Sequence, residues 1–202
     1  MAMSTRASFY RQLGWHAVAR RWDGRAFALA GPDPEAGVDA LIGLAADALG
    51  LGRLAASAVL LTRATAVLDG AAAPPARLGI RLAWVSSELA MAAGNGADAR
   101  GHALHGVELA EQALPGLRRH RVKSDVVLAA ALCSAGELVR SRVVADNALA
   151  DAQMYGLAPL RWALACLLAD IGSEAHSPTG IAEIRDQSAT FVTRHGARWS
   201  SS

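Results

Sequence analysis

Residues 92–103 read AAGNGADARGHA, a break on Gly94-Asn95-Gly96 followed at once by more small residues, Ala97, Ala99 and Ala103. Before it, Leu78, Leu82, Val85 and Leu89 trace the stripe of an amphipathic helix, and Val38, Leu41, Ile42, Ala45 and Leu49 trace another. A tight loop flanked by small residues predicts a helix hairpin whose arms cross so closely that only glycine, alanine or serine fits in the seam. Such a hairpin should recur along the chain, and it does. Gly14, Gly52, Gly94, Gly136 and Gly172 are separated by 38, 42, 42 and 36 residues. Seven positions before them stand Ala7, Ala45, Ser87, Ala129 and Ala165. Five positions after the first four stand Ala19, Ser57, Ala99 and Ser141, and twelve after come Ala26, Ala64, Gly106 and Ala148. Seven residues are nearly two helical turns, so each set of small residues lines one face.

No segment has the alternating β-branched pattern of a strand. Proline marks helix starts in GPDPEAG (31–37), APPARLG (73–79) and SPTGIAE (177–183). The chain is therefore expected to be all-α. The spacing of small residue, loop glycine and two further small residues resembles the tetratricopeptide (TPR) signature, over roughly residues 5–172. The units are longer than the usual length of about 34 residues and lack the closing proline, like the longer degenerate repeats of bacterial regulators. The resemblance implies a right-handed α-solenoid of antiparallel helix pairs with nine or ten helices, each pair burying its face against its neighbours. The expected organisation is a single repeat domain over 1–202, with units at about 4–30, 35–70, 75–113, 118–155 and 158–197. Residues 180–199 carry more charge and break the small-residue pattern, as a terminal cap should, and Ser200–Ser202 are expected to fray.

Composition narrows the function classes. With 20 basic and 18 acidic residues the net charge is only +2, so no general attraction to polyanions is implied. Lys123 is the sole lysine, and the arginine and alanine excess is read as the codon bias of a GC-rich bacterial source. Two cysteines, Cys133 and Cys166, are too few for a disulfide framework and suit a reduced compartment. The first residues carry no secretion-type apolar core and no apolar run is long enough for a membrane span, so a cytoplasmic location without membrane contact is expected.

Local chemistry is sparse. There is no Walker loop, nucleophile elbow, zinc-protease helix motif or paired Cys-x-x-Cys, and the glycines of GLGR (50–53) and GNG (94–96) follow helices. His102, His105 and Glu108 share a helix face but have no second pair of ligands, so neither metal nor cofactor is expected. An enzyme would need groups that converge only in three dimensions, such as Arg161, Asp170 and His176, and a non-catalytic protein is the expectation.

In the TPR family the first helix of each pair lines a concave groove. Ten residues before the loop glycine stand Ile42, Trp84, Val126 and Trp162, and thirteen before stand Asp39, Arg81, Lys123 and Pro159. Arg81, Trp84, Lys123 and Trp162 are thus the candidate partner-binding residues, since tryptophan and arginine dominate binding hot spots. The competing assignment puts both tryptophans in the core. Glu88 is expected to pair with Arg77 or Arg81 on its own helix. Arg118, Arg119 and Arg121 open a helix against its dipole and form a candidate anion-binding cluster. The expected partner is a protein or peptide, one with an acidic segment suiting these cations. Nucleic acid is disfavoured because no aromatics interleave the cluster. The alternative is a homodimer or larger scaffold associating through alanine-rich faces such as LAEQALPGL (109–117).

Overall fold

A computed structural model describes residues 2–200, and helix starts in it follow from how first-turn amides are satisfied. The Asp33 carboxylate accepts from the amides of Glu35 and Ala36 just ahead of Pro34. The Asn95 side chain accepts from the Asp98 amide, and Ser177 accepts from the Gly180 amide beside Pro178. The ends of the helices that finish at residues 12, 50, 92 and 134 are set by glycine. Gly14, Gly52, Gly94 and Gly136 all have φ between +71° and +83°, and the next residue's amide reaches the carbonyl five positions back, as in Asn95 to Ala90 (2.9 Å) and Glu137 to Leu132 (2.9 Å). A left-handed backbone at the turn reverses the chain within three residues.

Ten helices result among the described residues: α1 (Ala2–Gln12), α2 (His16–Ala30), α3 (Pro34–Gly50), α4 (Leu54–Asp69), α5 (Ala76–Ala92), α6 (Gly96–Gln112), α7 (Arg118–Ser134), α8 (Leu138–Met154), α9 (Ala158–Ile171) and α10 (Pro178–Arg194). No strand occurs among the described residues. Consecutive helices pack on one another, and α1, α3, α5, α7 and α9 also touch in that order, so five hairpins stack with their first helices side by side.

The seam residues explain how close the arms come. Ala7, Ala19, Ala45, Ser57, Ala64, Ser87, Ala99, Ala129, Ser141, Ala148 and Ala165 are all buried, as is Gly106, while Ala26 is half-buried. Where serine takes a seam position its hydroxyl can donate to a main-chain carbonyl across the hairpin: Ser87 to Ala99 (2.8 Å) and Ser141 to Ala129 (2.7 Å). The apolar core is a row of clusters, each shared between adjacent pairs, such as Ile42, Leu61, Leu78 and Val85 around α3–α5 and Val126, Leu149, Leu164 and Ile181 around α7–α10.

The two glycines of GNG do different work. Gly94 makes the turn, whereas Gly96 opens α6 against the following pair: a Cβ there would lie 2.8 Å from the Ala135 Cα and from the Ser134 carbonyl oxygen. Main chain cannot step aside as a side chain can. Gly96→Ala should therefore cost about 1–3 kcal/mol, read as a lower midpoint in urea unfolding. An unchanged midpoint would mean that the third pair's turn does not rest on the fourth.

Candidate binding face

The first helices present their residues in a fixed register, and the register ten before each loop glycine proves to be the joint between pairs. Ile42 is fully buried with Leu78 and Val85 of α5, and Val126 is buried with Leu160 and Leu164 of α9. Trp84 follows the same rule and is 8% exposed. Its Nε1 donates to the Ser124 hydroxyl of α7 (2.8 Å), and its ring stacks on His120 at 5.4 Å between centroids. Trp84 therefore lies at the joint, on a face covered by the next first helix. No further first helix follows Trp162 among the described residues; its ring is half-buried and is met by Trp199, with centroids 4.4 Å apart.

Charges thirteen before the glycines pair across the joints. Arg81 bonds Asp39, and Arg77 reaches both Asp39 (2.9 Å) and Glu35 (2.7 Å), all from α5 to α3. Lys123 pairs with Glu88 of α5 at 3.2 Å. The expected pairing of Glu88 within its own helix is corrected, because the Arg77 and Arg81 forks turn toward α3. Burial lowers the Arg81 pKa to about 10, with Arg11 nearby adding to the effect.

The three arginines that open α7 do not converge. Arg118 lies over the Tyr155 ring at 5.1 Å, and Arg121 is paired with Asp125 and with Glu111 (3.1 Å). Arg119 points across the array, its guanidinium 3.5 Å from Gln12 Oε1 at the end of α1. No carboxylate pairs with Arg119 among the described residues. Its side chain is exposed, and the protein that shields part of it lowers its pKa. Beside it, burial and the charges of Arg119, Arg81 and Arg77 push His120 down to about 4, leaving that imidazole neutral near pH 7.

Sequence patterns missed the most buried charges. Asp23 of α2 and Asp47 of α3 are fully buried and share Arg11 of α1, whose Nε donates to Asp47 at 2.8 Å and whose terminal nitrogen bonds Asp23. Burial raises the Asp23 pKa to about 6, with the Asp47 charge adding to it and Arg11 opposing. Gly43 makes the room, since a Cβ there would sit 2.2 Å from Asp23 Oδ2. The available signal was an unspent one: two carboxylates and one arginine inside otherwise apolar or small-residue faces.

Elsewhere the polar groups stay apart. His105 and Glu108 are exposed, with 3.9 Å between their nearest atoms. Among the described residues no group of three or more His, Cys, Asp or Glu is placed to hold a metal. Arg161 faces Gln187 at 3.4 Å, and both cysteines are unpaired and half-buried. No described helix is long and apolar enough to cross a membrane.

After α10, Gly196 at φ +86° turns the chain back. The Trp15 indole Nε1 donates to the Arg198 carbonyl (2.7 Å), and the Ser200 amide donates to the Leu13 carbonyl (2.8 Å). Ser200 is thus held rather than frayed, while Ser201 and Ser202 lie outside the described residues.

The chain is similar in structure to nearly identical TPR-like repeats described for a kinesin light chain of Podosopora anserina, with a TM-score of 0.60 over 96% of this chain and 94% of that one. The fold is that of a TPR-like repeat array. At 17% identity the likeness concerns the fold alone. No protein-family model and no curated protein matches this TPR-like chain in sequence.

Proposed function

We propose that this chain is a non-catalytic, cytoplasmic adaptor or regulatory protein whose five pairs act as one domain and hold a peptide or partner segment against the face formed by the first helices. Arrays of stacked helix pairs offer extended concave surfaces suited to such contacts. The observation that carries the proposal is Arg119, which points into the space between α7 and α1 without a carboxylate partner among the described residues. Its neighbours Arg77 and Arg81 share Asp39, and His120 adds no negative charge. An exposed cation with no carboxylate partner of its own among the described residues favours a carboxylate brought by a partner. Lys123 at the rim and the exposed side of Trp162 extend the same face, whereas Trp84 supports it from beneath.

The test compares affinity capture by wild type and by an Arg119→Ala/Lys123→Ala variant of unchanged helicity. A partner retained by the wild type should be lost by the variant and should elute at raised salt, because exposed charge pairs are screened. Equal retention by both would remove this face from the interaction.

A further inference from the structure

The segment after α10 does more than cover an end. A repeat array is quasi-one-dimensional, and each pair ordinarily touches only its neighbours. Here residues 198–200 join the fifth pair to the first, 183 positions away along the chain at the Trp15–Arg198 hydrogen bond. The contacts fall into two sorts. Trp199 packs on Trp162 with its ring tilted by 32°, taking the place that a sixth first helix would occupy by the register of Ile42, Trp84 and Val126. The Arg198 carbonyl and the Ser200 amide then bond to Trp15 and to the Leu13 carbonyl in the α1–α2 turn. In an extended segment the polar groups of residues two apart face the same way, with the intervening side chain turned to the other face, so this spacing fits an extended peptide held by one main-chain edge. Gly14 admits it: even the ideal Cβ of a larger residue would stand 3.1 Å from the Ser200 Cβ. An end cap needs the Trp162 contact alone. The bonds to the first pair have no capping purpose.

We propose that residues 198–200 are an intramolecular latch, an aromatic-bearing segment of the chain bound across its own array from Trp162 to the α1–α2 turn, which a partner segment must displace. The latch rests on the binding-face assignment for its regulatory meaning and on the tail contacts alone for its existence. Tethering keeps the segment at an effective concentration of order millimolar, so a partner competes against a standing occupant. The displacing partner would be an extended segment that also offers an aromatic side chain to Trp162.

The experiment follows solvent exchange of the Trp15 indole N–H by NMR in the full chain, in Trp199→Ala and in Ser200→Pro. The second variant removes the amide that bonds Leu13 while keeping the Trp199 side chain. Both should speed Trp15 indole exchange by about tenfold or more, the factor that loss of one such hydrogen bond carries. Exchange as slow in both variants as in wild type would overturn the latch. So would protection in the wild type that disappears on dilution, which would assign the contact to a second copy. Neither outcome touches the capture experiment with the Arg119 and Lys123 variant, so the latch and the binding face can fail separately.

Discussion

Arg11→Met should lower the stability of this array by about 3–5 kcal/mol near neutral pH, the usual loss when one member of a buried ion pair is removed. Asp23 and Asp47 have no exposed surface, and the Arg11 side chain is 16% exposed. Methionine fills the stem's volume and supplies no charge, so two carboxylates would remain buried together. One Asp23 oxygen already lacks a partner, and Gly43 presses against the other. With Ser4 and Arg81 acting on Asp23 and His16 3.6 Å from Asp47 as the remaining neighbours, protonation of a carboxylate is the main relief. Asp23 in the folded chain has its pKa raised to about 6 from an ordinary 3.8, so the native state binds a proton more readily than the unfolded one. For a raised carboxylate the contribution to stability is fullest below the unfolded value and is lost as pH rises through the folded one. In wild type this term therefore falls between about pH 4 and about pH 6. In Arg11→Met the deficit should be largest above that window and shrink toward its acid end. Urea unfolding followed by circular dichroism at about pH 4.5 and about pH 7.5 measures both. A loss under about 1 kcal/mol, or one equal at the two pH values, would mean the carboxylates find water in the folded chain.

The parts of this fold that were legible in the sequence are those where backbone meets backbone. Close approach within a hairpin leaves a mark at fixed spacing, because nothing larger than serine fits at Ser87, Ala99 or Ala129. The left-handed turn leaves another, since glycine adopts it without strain at positions 14, 52, 94 and 136. The orientation of a large side chain leaves no such mark: Trp84 satisfies the pattern of a groove residue and of a joint residue equally. Its register mates Ile42 and Val126 held the deciding hint, being aliphatic at positions that a solvent groove would not require. The charge pairs were hidden for a different reason. Arg11 with Asp47, Arg81 with Asp39 and Lys123 with Glu88 are 36, 42 and 35 residues apart, roughly one repeat, so they appear only when successive pairs are set side by side. The tail was the least legible element. GARWS at 196–200 resembles any exposed end, and its partners Leu13 and Trp15 lie far away along the chain.

Trp84→Ala decides between joint and groove by magnitude. Removing a buried tryptophan leaves a void lined by its neighbours and costs about 3–5 kcal/mol. The Ser124 hydroxyl, which accepts from Trp84 Nε1 and donates to the Gly106 carbonyl at 3.1 Å, would lose its donor inside the core. The neighbours have little freedom to close the gap, because Gly106 lies against the Trp84 ring and Ala83. Trp84→Phe keeps most of the ring and removes the N–H, so it should cost about 1 kcal/mol from the hydrogen bond, with a smaller packing loss added. Since Trp84 joins the third pair to the fourth, the alanine variant should also weaken coupling along the array and broaden the urea transition, lowering its apparent slope. A tryptophan that served only as a binding anchor would behave in the opposite way. Its replacement would leave stability within about 0.5 kcal/mol and reduce partner capture alone. A fully stable Trp84→Ala chain that no longer captures its partner would return this residue to the groove and would require the α5–α7 joint to be held by Ile80, Val127 and Leu128 without it.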